Sequence, residues 1–330
     1  MSPAVITAVH RHSIAYLVLA LVWLNAASPA AAQSPTLQPR AGLEPITPIP
    51  AARAQDPKRL LLGETLFSDR RLSHGNTHSC SSCHDIATNG ASANVLDTPK
   101  SEPMALNTPT VYNVSLNFRL NWEGNFRSLE EGAEHTLHNP AIMASSADEV
   151  VSKLRADPEA VQQFRDAYGR QPDVAAVLDA IATYERSLVT PGSRFDRWLL
   201  GEADAITPEE LSGYQLFKSL GCISCHQGVN VGGNLFQRHG IFHPLGSPEP
   251  VLLRVPSLRN VATTAPYFHD GSASTLPEAV RMMGFAQLDR VLTEPQIAAI
   301  VAFLNTLTGT YRGQPVRPAN TTTRAGPALR

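Results

Sequence analysis

The chain has 330 residues, 43% of them hydrophobic, with 27 Lys and Arg against 29 Asp and Glu and a formal net charge of −2. That balance leaves no electrostatic footprint for nucleic acid or for an anionic membrane surface. The length suits two domains of ordinary size.

Residues 1–32 read as a secretory signal peptide. A short start carrying Arg11 precedes an apolar run from Ile14 to Leu24, and Ala30-Ala31-Ala32 offers a small-residue cleavage site before Gln33. The run is too short to span a bilayer. Nothing later in the chain is apolar enough to do so, so no membrane span is expected after cleavage and the expected compartment is the periplasm. Residues 33–57 are rich in Pro and Ala and read as an extended segment.

The first motif with chemical content is Cys80-Ser81-Ser82-Cys83-His84, and a second, Cys222-Ile223-Ser224-Cys225-His226, uses the remaining two cysteines of the chain. Cysteines at i and i+3 on a short helical stretch form thioethers to the two vinyl groups of a haem, and the following His places its imidazole under the iron. Thioredoxin-like redox pairs or a four-thiolate zinc site do not explain why both motifs end in His. The reading is two covalent haems c, with Cys80, Cys83, Cys222 and Cys225 as attachment points and His84 and His226 as iron ligands.

Helix signals follow. Asp157 as N-cap, Pro158 at the first helical position and Gly169 as stop bound one short amphipathic helix. Val174, Val177, Leu178, Ile181, Tyr184 and Leu188 form the stripe of a longer one ending before Pro191. Thr207-Pro208-Glu209-Glu210 is a capping box for a helix leading into the second haem motif. Residues 227–262, with many Gly and short Val/Leu runs, read as loop with a few short strands. Thr293 caps a last helix with Ile297, Ile300, Val301 and Leu304 on one face, and residues 313–330 read as a disordered tail. The expected fold is mostly α: two helical cytochrome c-type domains, residues 58–195 and 196–312, each around one haem, with long loops and a joint near Thr190 to Leu200.

The sixth iron position separates electron transfer from catalysis, since a Met thioether closes the iron and an open position admits peroxide. Most of residues 58–309 resembles the bacterial di-haem cytochrome c peroxidase family, which includes the MauG proteins. The resemblance runs through Leu62 to Phe67, Asn107-Thr108-Pro109-Thr110, Thr190 to Asp196, Val255 to Val261, Thr264 to Gly271 and Ala279 to Leu288. It implies that Met283, four residues before Gln287, is the axial partner of His226 on a high-potential haem, while Met282 packs in the core. It implies that Trp122 lies between the haems. Asn107, Thr264 and Pro266 match the family's calcium positions, an oxygen set suited to a hard cation. His269, in the same motif, reads as a hydrogen-bonded structural His.

The departures from the family concern the first haem. No His lies between Asp85 and Asn107, where the family has a displaceable loop ligand; Pro99 or Lys100 stands near its place. The distal Glu of the family falls at Ile142. His135 and His138 on the same segment are the candidate replacements for a base or ligand, with Glu123, Met104 and Met143 as weaker ones. The resemblance implies a periplasmic peroxidase, possible as a homodimer, that reduces hydrogen peroxide to water at the N-terminal haem. Its electrons would come from a small cytochrome c or cupredoxin through the C-terminal haem and Trp122. The missing distal groups leave a di-haem electron carrier or redox sensor as the alternative. A MauG-like oxidant of a partner protein is expected to carry Tyr, not Met, at the second iron.

Overall fold

The expected start and stop signals set the helix ends in a computed structural model that describes residues 43–91, 106–246 and 250–319. The proposed signal peptide, Pro99, Lys100, Met104 and residues 320–330 lie outside them. Nine α-helices occur among the described residues: α1 (Pro57–Phe67), α2 (Leu129–His138), α3 (Ala147–Arg155), α4 (Pro158–Tyr168), α5 (Val174–Ser187), α6 (Arg194–Leu199), α7 (Pro208–Ser219), α8 (Leu276–Leu288) and α9 (Glu294–Asn305). Asp157 accepts from the Glu159 N–H and Gly169 turns left-handed at φ 70°, which bounds α4 at the residues its sequence signals. Thr207 and Thr293 make the reciprocal capping boxes of α7 and α9. The Gly-rich stretch holds one antiparallel pair, β1 (Phe236–Arg238) against β2 (Leu252–Arg254).

Two cores result. One gathers Leu62, Leu66, Val150, Leu154, Phe164, Val177 and Ile181 from α1 and α3 to α5. The other gathers Phe195, Trp198, Tyr214, Phe217, Ile297, Ile300 and Phe303 from α6, α7 and α9. The expected joint between domains is therefore no exposed linker, because Phe195 and Trp198 are buried in the second core. Both cores fall in one compact unit.

The two halves repeat one plan. In each, a helix ahead of the haem motif crosses the helix that closes the half, α1 on α5 and α7 on α9. The crossing needs glycine, because a Cβ on Gly63 would stand 2.0 Å from the Ala180 carbonyl oxygen and one on Gly213 would stand 1.9 Å from that of Ala299. A left-handed Asn then leads a 3₁₀ turn, at Asn113 (φ 61°) and Asn260 (φ 59°). A bridge closes the next loop, Leu120 to Phe126 in one half and Tyr267 to Ala273 in the other, just ahead of α2 and α8. Trp122 and His269 occupy equivalent places in those loops.

Gly213→Ala tests the crossing. Alanine gains about 1 kcal/mol over glycine in a helix interior, whereas overpacking costs about 1–3 kcal/mol and more against a carbonyl that cannot rotate away. The net expectation is destabilisation by roughly 1–2 kcal/mol in urea denaturation; equal or greater stability would show that the helices part easily.

The first and last described residues depart from expectation. The extended segment is tied down: Ile46 is buried in the second core and bridges Gly228 in parallel. At the other end, β3 (Thr310–Tyr311) pairs with β4 (Gln314–Pro315), and Val316 is 5% exposed beside Phe67, Tyr112 and Tyr184 of the first half. A single valine among Pro, Thr and Arg shows no periodicity, so the sequence reads as disorder although that side chain closes an aromatic cluster.

Candidate haem and peroxidase site

Each haem motif forms a 3₁₀ turn, Cys80–Ser82 and Cys222–Ser224, that swings the following His inward. His84 Nδ1 lies 3.1 Å from the Gly90 carbonyl and His226 Nδ1 lies 3.3 Å from that of Val231. A carbonyl only accepts, so Nδ1 carries the proton and Nε2 presents its lone pair, the tautomer an iron ligand needs. Phe67 and Phe217 stand at 6.4 and 6.3 Å from the two imidazoles, the same support in both halves. Burial pushes His226 down to about 4, which keeps it neutral. Burial pushes the Cys80 thiol up to about 12 and Cys222 to about 11, away from the thiolate that a redox pair or a zinc site uses. Among the described residues no group of three or more His, Cys, Asp or Glu side chains could hold a metal ion, so the two cysteine pairs do not converge on a shared site. The four cysteines and two histidines fit haem c, one haem in each half.

Met282 and Met283 sit together on α8, and Met282 packs against the second core. Met283 is half-buried one position round the helix. Trp122 is held on three sides. Its Nε1 donates to the Asn107 carbonyl at 2.8 Å, its own carbonyl accepts from the Arg254 N–H at 2.7 Å, and its ring lies edge-on to His269 at 6.4 Å. Asn107 Nδ2 donates to the Pro266 carbonyl at 2.7 Å, while Asn107 Oδ1 is buried without a donor. Thr264 returns its hydroxyl to the Val261 carbonyl, leaving its own carbonyl as the ligand group. An orphaned buried amide oxygen is the kind of group a hard cation takes.

His269 corrects the sequence reading. It is 1% exposed, yet neither ring nitrogen has a hydrogen-bond partner among the described residues. His135 and His138 are exposed on α2; the His135 ring lies tilted against Phe126 at 4.7 Å and His138 Nδ1 donates to the Glu134 carbonyl. Ile142 is 38% exposed in the turn after α2, Met143 is buried in the first core, and Glu123 faces solvent.

Sequence reasoning missed Glu185. It lies on the apolar stripe of α5, in register with Leu178, Ile181 and Leu188, so its signal was a carboxylate at a core position. Burial and the neighbouring Glu130 raise it to about 8, and its charge is felt at Cys80. A carboxyl raised on folding binds more protons folded than unfolded between about pH 4.5 and 8, so stability falls as pH rises through that window. Glu185→Gln should flatten the fall, which cannot exceed about 1.4 kcal/mol per pH unit for one proton. Melting temperatures at pH 5 and pH 8 check it, and an unchanged pH slope would place the Glu185 carboxylate in water.

Residues 57–204 match the family model for di-haem cytochrome c peroxidase, and residues 211–308 match that for cytochrome c. The cytochrome c551 peroxidase of Nitrosomonas europaea is 38% identical over 81% of this chain and 84% of its own length. The chain belongs to the di-haem cytochrome c peroxidase and MauG family. The methylamine utilization protein MauG of Methylorubrum extorquens is 32% identical over 79% of this chain and 81% of its own. A solved MauG-like protein associated with microbial copper homeostasis superposes with a TM-score of 0.67 at 27% identity, over 79% of this chain and 93% of that one. As a member of this family the chain is a mostly helical, haem c-containing oxidoreductase of the cytochrome c peroxidase type. No helix among its described residues is long and apolar enough to cross a membrane.

Proposed function

We propose that this protein is a periplasmic peroxidase that takes electrons singly from a small cytochrome c or cupredoxin and reduces hydrogen peroxide, with two protons and two electrons, to two waters. The observation that carries the reading is Trp122, clamped by Asn107 and Arg254 in a loop whose structural counterpart in the other half holds His269. His84 would hold the haem that supplies the peroxide-reducing chemistry, and His226 would hold the haem that supplies electron transfer. Residues 58–195 form the peroxide-reducing half and residues 196–312 the electron-accepting half, a division supported by the two cores.

Within this reading Cys80, Cys83, Cys222 and Cys225 anchor the haems, and Gly90 and Val231 orient His84 and His226. Met283 would be the thioether ligand of that second haem, which argues against a MauG-like oxidant. Trp122 provides a ring between the halves, and Asn107, Thr264 and Pro266 are the residues that would hold a calcium ion next to it. His135 and His138 stand on the distal segment and exchange protons with peroxide. Protons reach the site from solvent, to which both histidines are open.

One observation favours a second reading. An aliphatic side chain at Ile142 neither takes nor returns a proton, and general acid–base catalysis contributes about 10²–10⁴-fold. A di-haem electron carrier or redox sensor with little turnover follows if no other group compensates. The deciding experiment uses the purified mature protein, with the mass of two haems above the bare chain and a pre-reduced small cytochrome as donor. Peroxide-dependent oxidation of that donor supports the peroxidase. A half-reduced protein whose first haem neither binds nor consumes peroxide supports the carrier.

A further inference from the structure

Arg254 is 6% exposed, and its Nη1 is buried without a partner. Its Nε donates to the Asn121 carbonyl at 3.0 Å, and no carboxylate among the described residues pairs with it. Burial lowers it only to about 10, so it remains a cation at neutral pH. An uncompensated buried cation costs several kcal/mol, and so does an unsatisfied buried donor. The arginine therefore calls for an anion brought in from outside the polypeptide.

Other orphans gather at the same place. His269 has two unpartnered ring nitrogens and lies edge-on to Trp122, the residue whose carbonyl receives the Arg254 N–H. His239, at the end of β1, stands 4.4 Å from His269 at 81° with its own Nδ1 buried and unpartnered. Calcium beside Asn107 cannot satisfy these nitrogens, because N–H donors need an acceptor and a hard cation takes oxygen.

The strand carrying Arg254 identifies the anion. Two residues on, the Pro256 carbonyl interacts with the His226 ring, and a Cβ on Gly232 would meet both Pro256 and His226. The strand carrying Arg254 thus runs past the histidine of the second haem motif, and a haem held there brings two carboxylates with it.

We propose that Arg254 and His269 form the seat of the propionates of the C-terminal haem, and that His239 is a positioning residue that holds the His269 ring toward them. The proposal rests on the reading that a haem occupies the second motif. Arg254 offers the forked donors suited to a carboxylate and His269 donates its one ring N–H to the same group, while on haem binding the orphaned His239 Nδ1–H turns to the other, accepting nitrogen of His269. The seat joins the C-terminal haem to the loop that carries Trp122.

The experiment compares holoprotein from the wild type, Arg254→Gln, Arg254→Lys and His239→Phe by covalent haem count, resonance Raman in the propionate bending region and redox titration of each haem. Arg254→Gln should move the propionate band and lower the midpoint potential of the C-terminal haem alone, because removing a nearby cation favours ferric iron. Arg254→Lys keeps the charge and loses the fork, so it should move the band with little change in potential. His239→Phe should move the band by freeing the His269 ring. A band and potential unchanged in Arg254→Gln with both haems present overturns the proposal, as do changes confined to the N-terminal haem. If Arg254→Gln does not fold, unmoved bands in both Arg254→Lys and His239→Phe overturn it equally. A wild type without haem at Cys222 fails the functional reading itself, which the haem count reports separately.

Discussion

Asp196→Ala is expected to destabilise the protein by about 3–5 kcal/mol, a large part of the roughly 5–15 kcal/mol that holds a domain folded. Asp196 and Arg259 form an ion pair at 2.8 Å with side chains 1% and 0% exposed. Asp196 also caps α6 with Ser193 and receives the Ile49 N–H, while Arg259 reaches the carbonyls of Val229 and Thr47. Removing the acid strands a charge that cannot reach water. Replacing both partners, Asp196→Leu with Arg259→Met, should cost clearly less, because no charge is then left alone. Urea midpoints of the wild type, the single and the double variant decide it. A single variant within about 1 kcal/mol of the wild type would falsify the account, since only an exposed pair is worth so little.

Ile142→Glu should raise peroxide turnover by about 100-fold, the lower end of the range that a positioned acid–base group contributes. The turn after α2 leaves Ile142 38% exposed, so a carboxylate there meets no packing obstacle. Initial rates with a pre-reduced donor, at equal haem content, provide the measurement. If the wild type is already fast and His135→Ala with His138→Ala changes nothing, a different group moves the proton, and Glu185 becomes the next residue to replace.

Much of the site could be read in advance because its chemistry is local in sequence. Cys80 to His84 and Cys222 to His226 each close within five residues, and Asp157, Thr207 and Thr293 reach only two or three residues ahead to cap their helices. Arg254, His239 and His269 were not legible in that way. Each is an unremarkable polar residue in sequence, and only the packing of three separate segments shows that their donors face no acceptor. The repeat of the two halves was also hidden, since it rests on backbone features with few shared side chains: a glycine at a crossing, a left-handed Asn, a bridged loop. Val316 escaped because one apolar residue has no period.

The segments flanking the two halves are exchanged between them. Ile46, which precedes the first half, is buried in the core of the second, and Val316, which follows the second, closes the aromatic cluster of the first. Each half thus borrows a strap from beyond its partner, as two hands do when the fingers interlock. A cut near residue 195 would leave both pieces without a side chain that closes their core, so the two halves should unfold together as one unit.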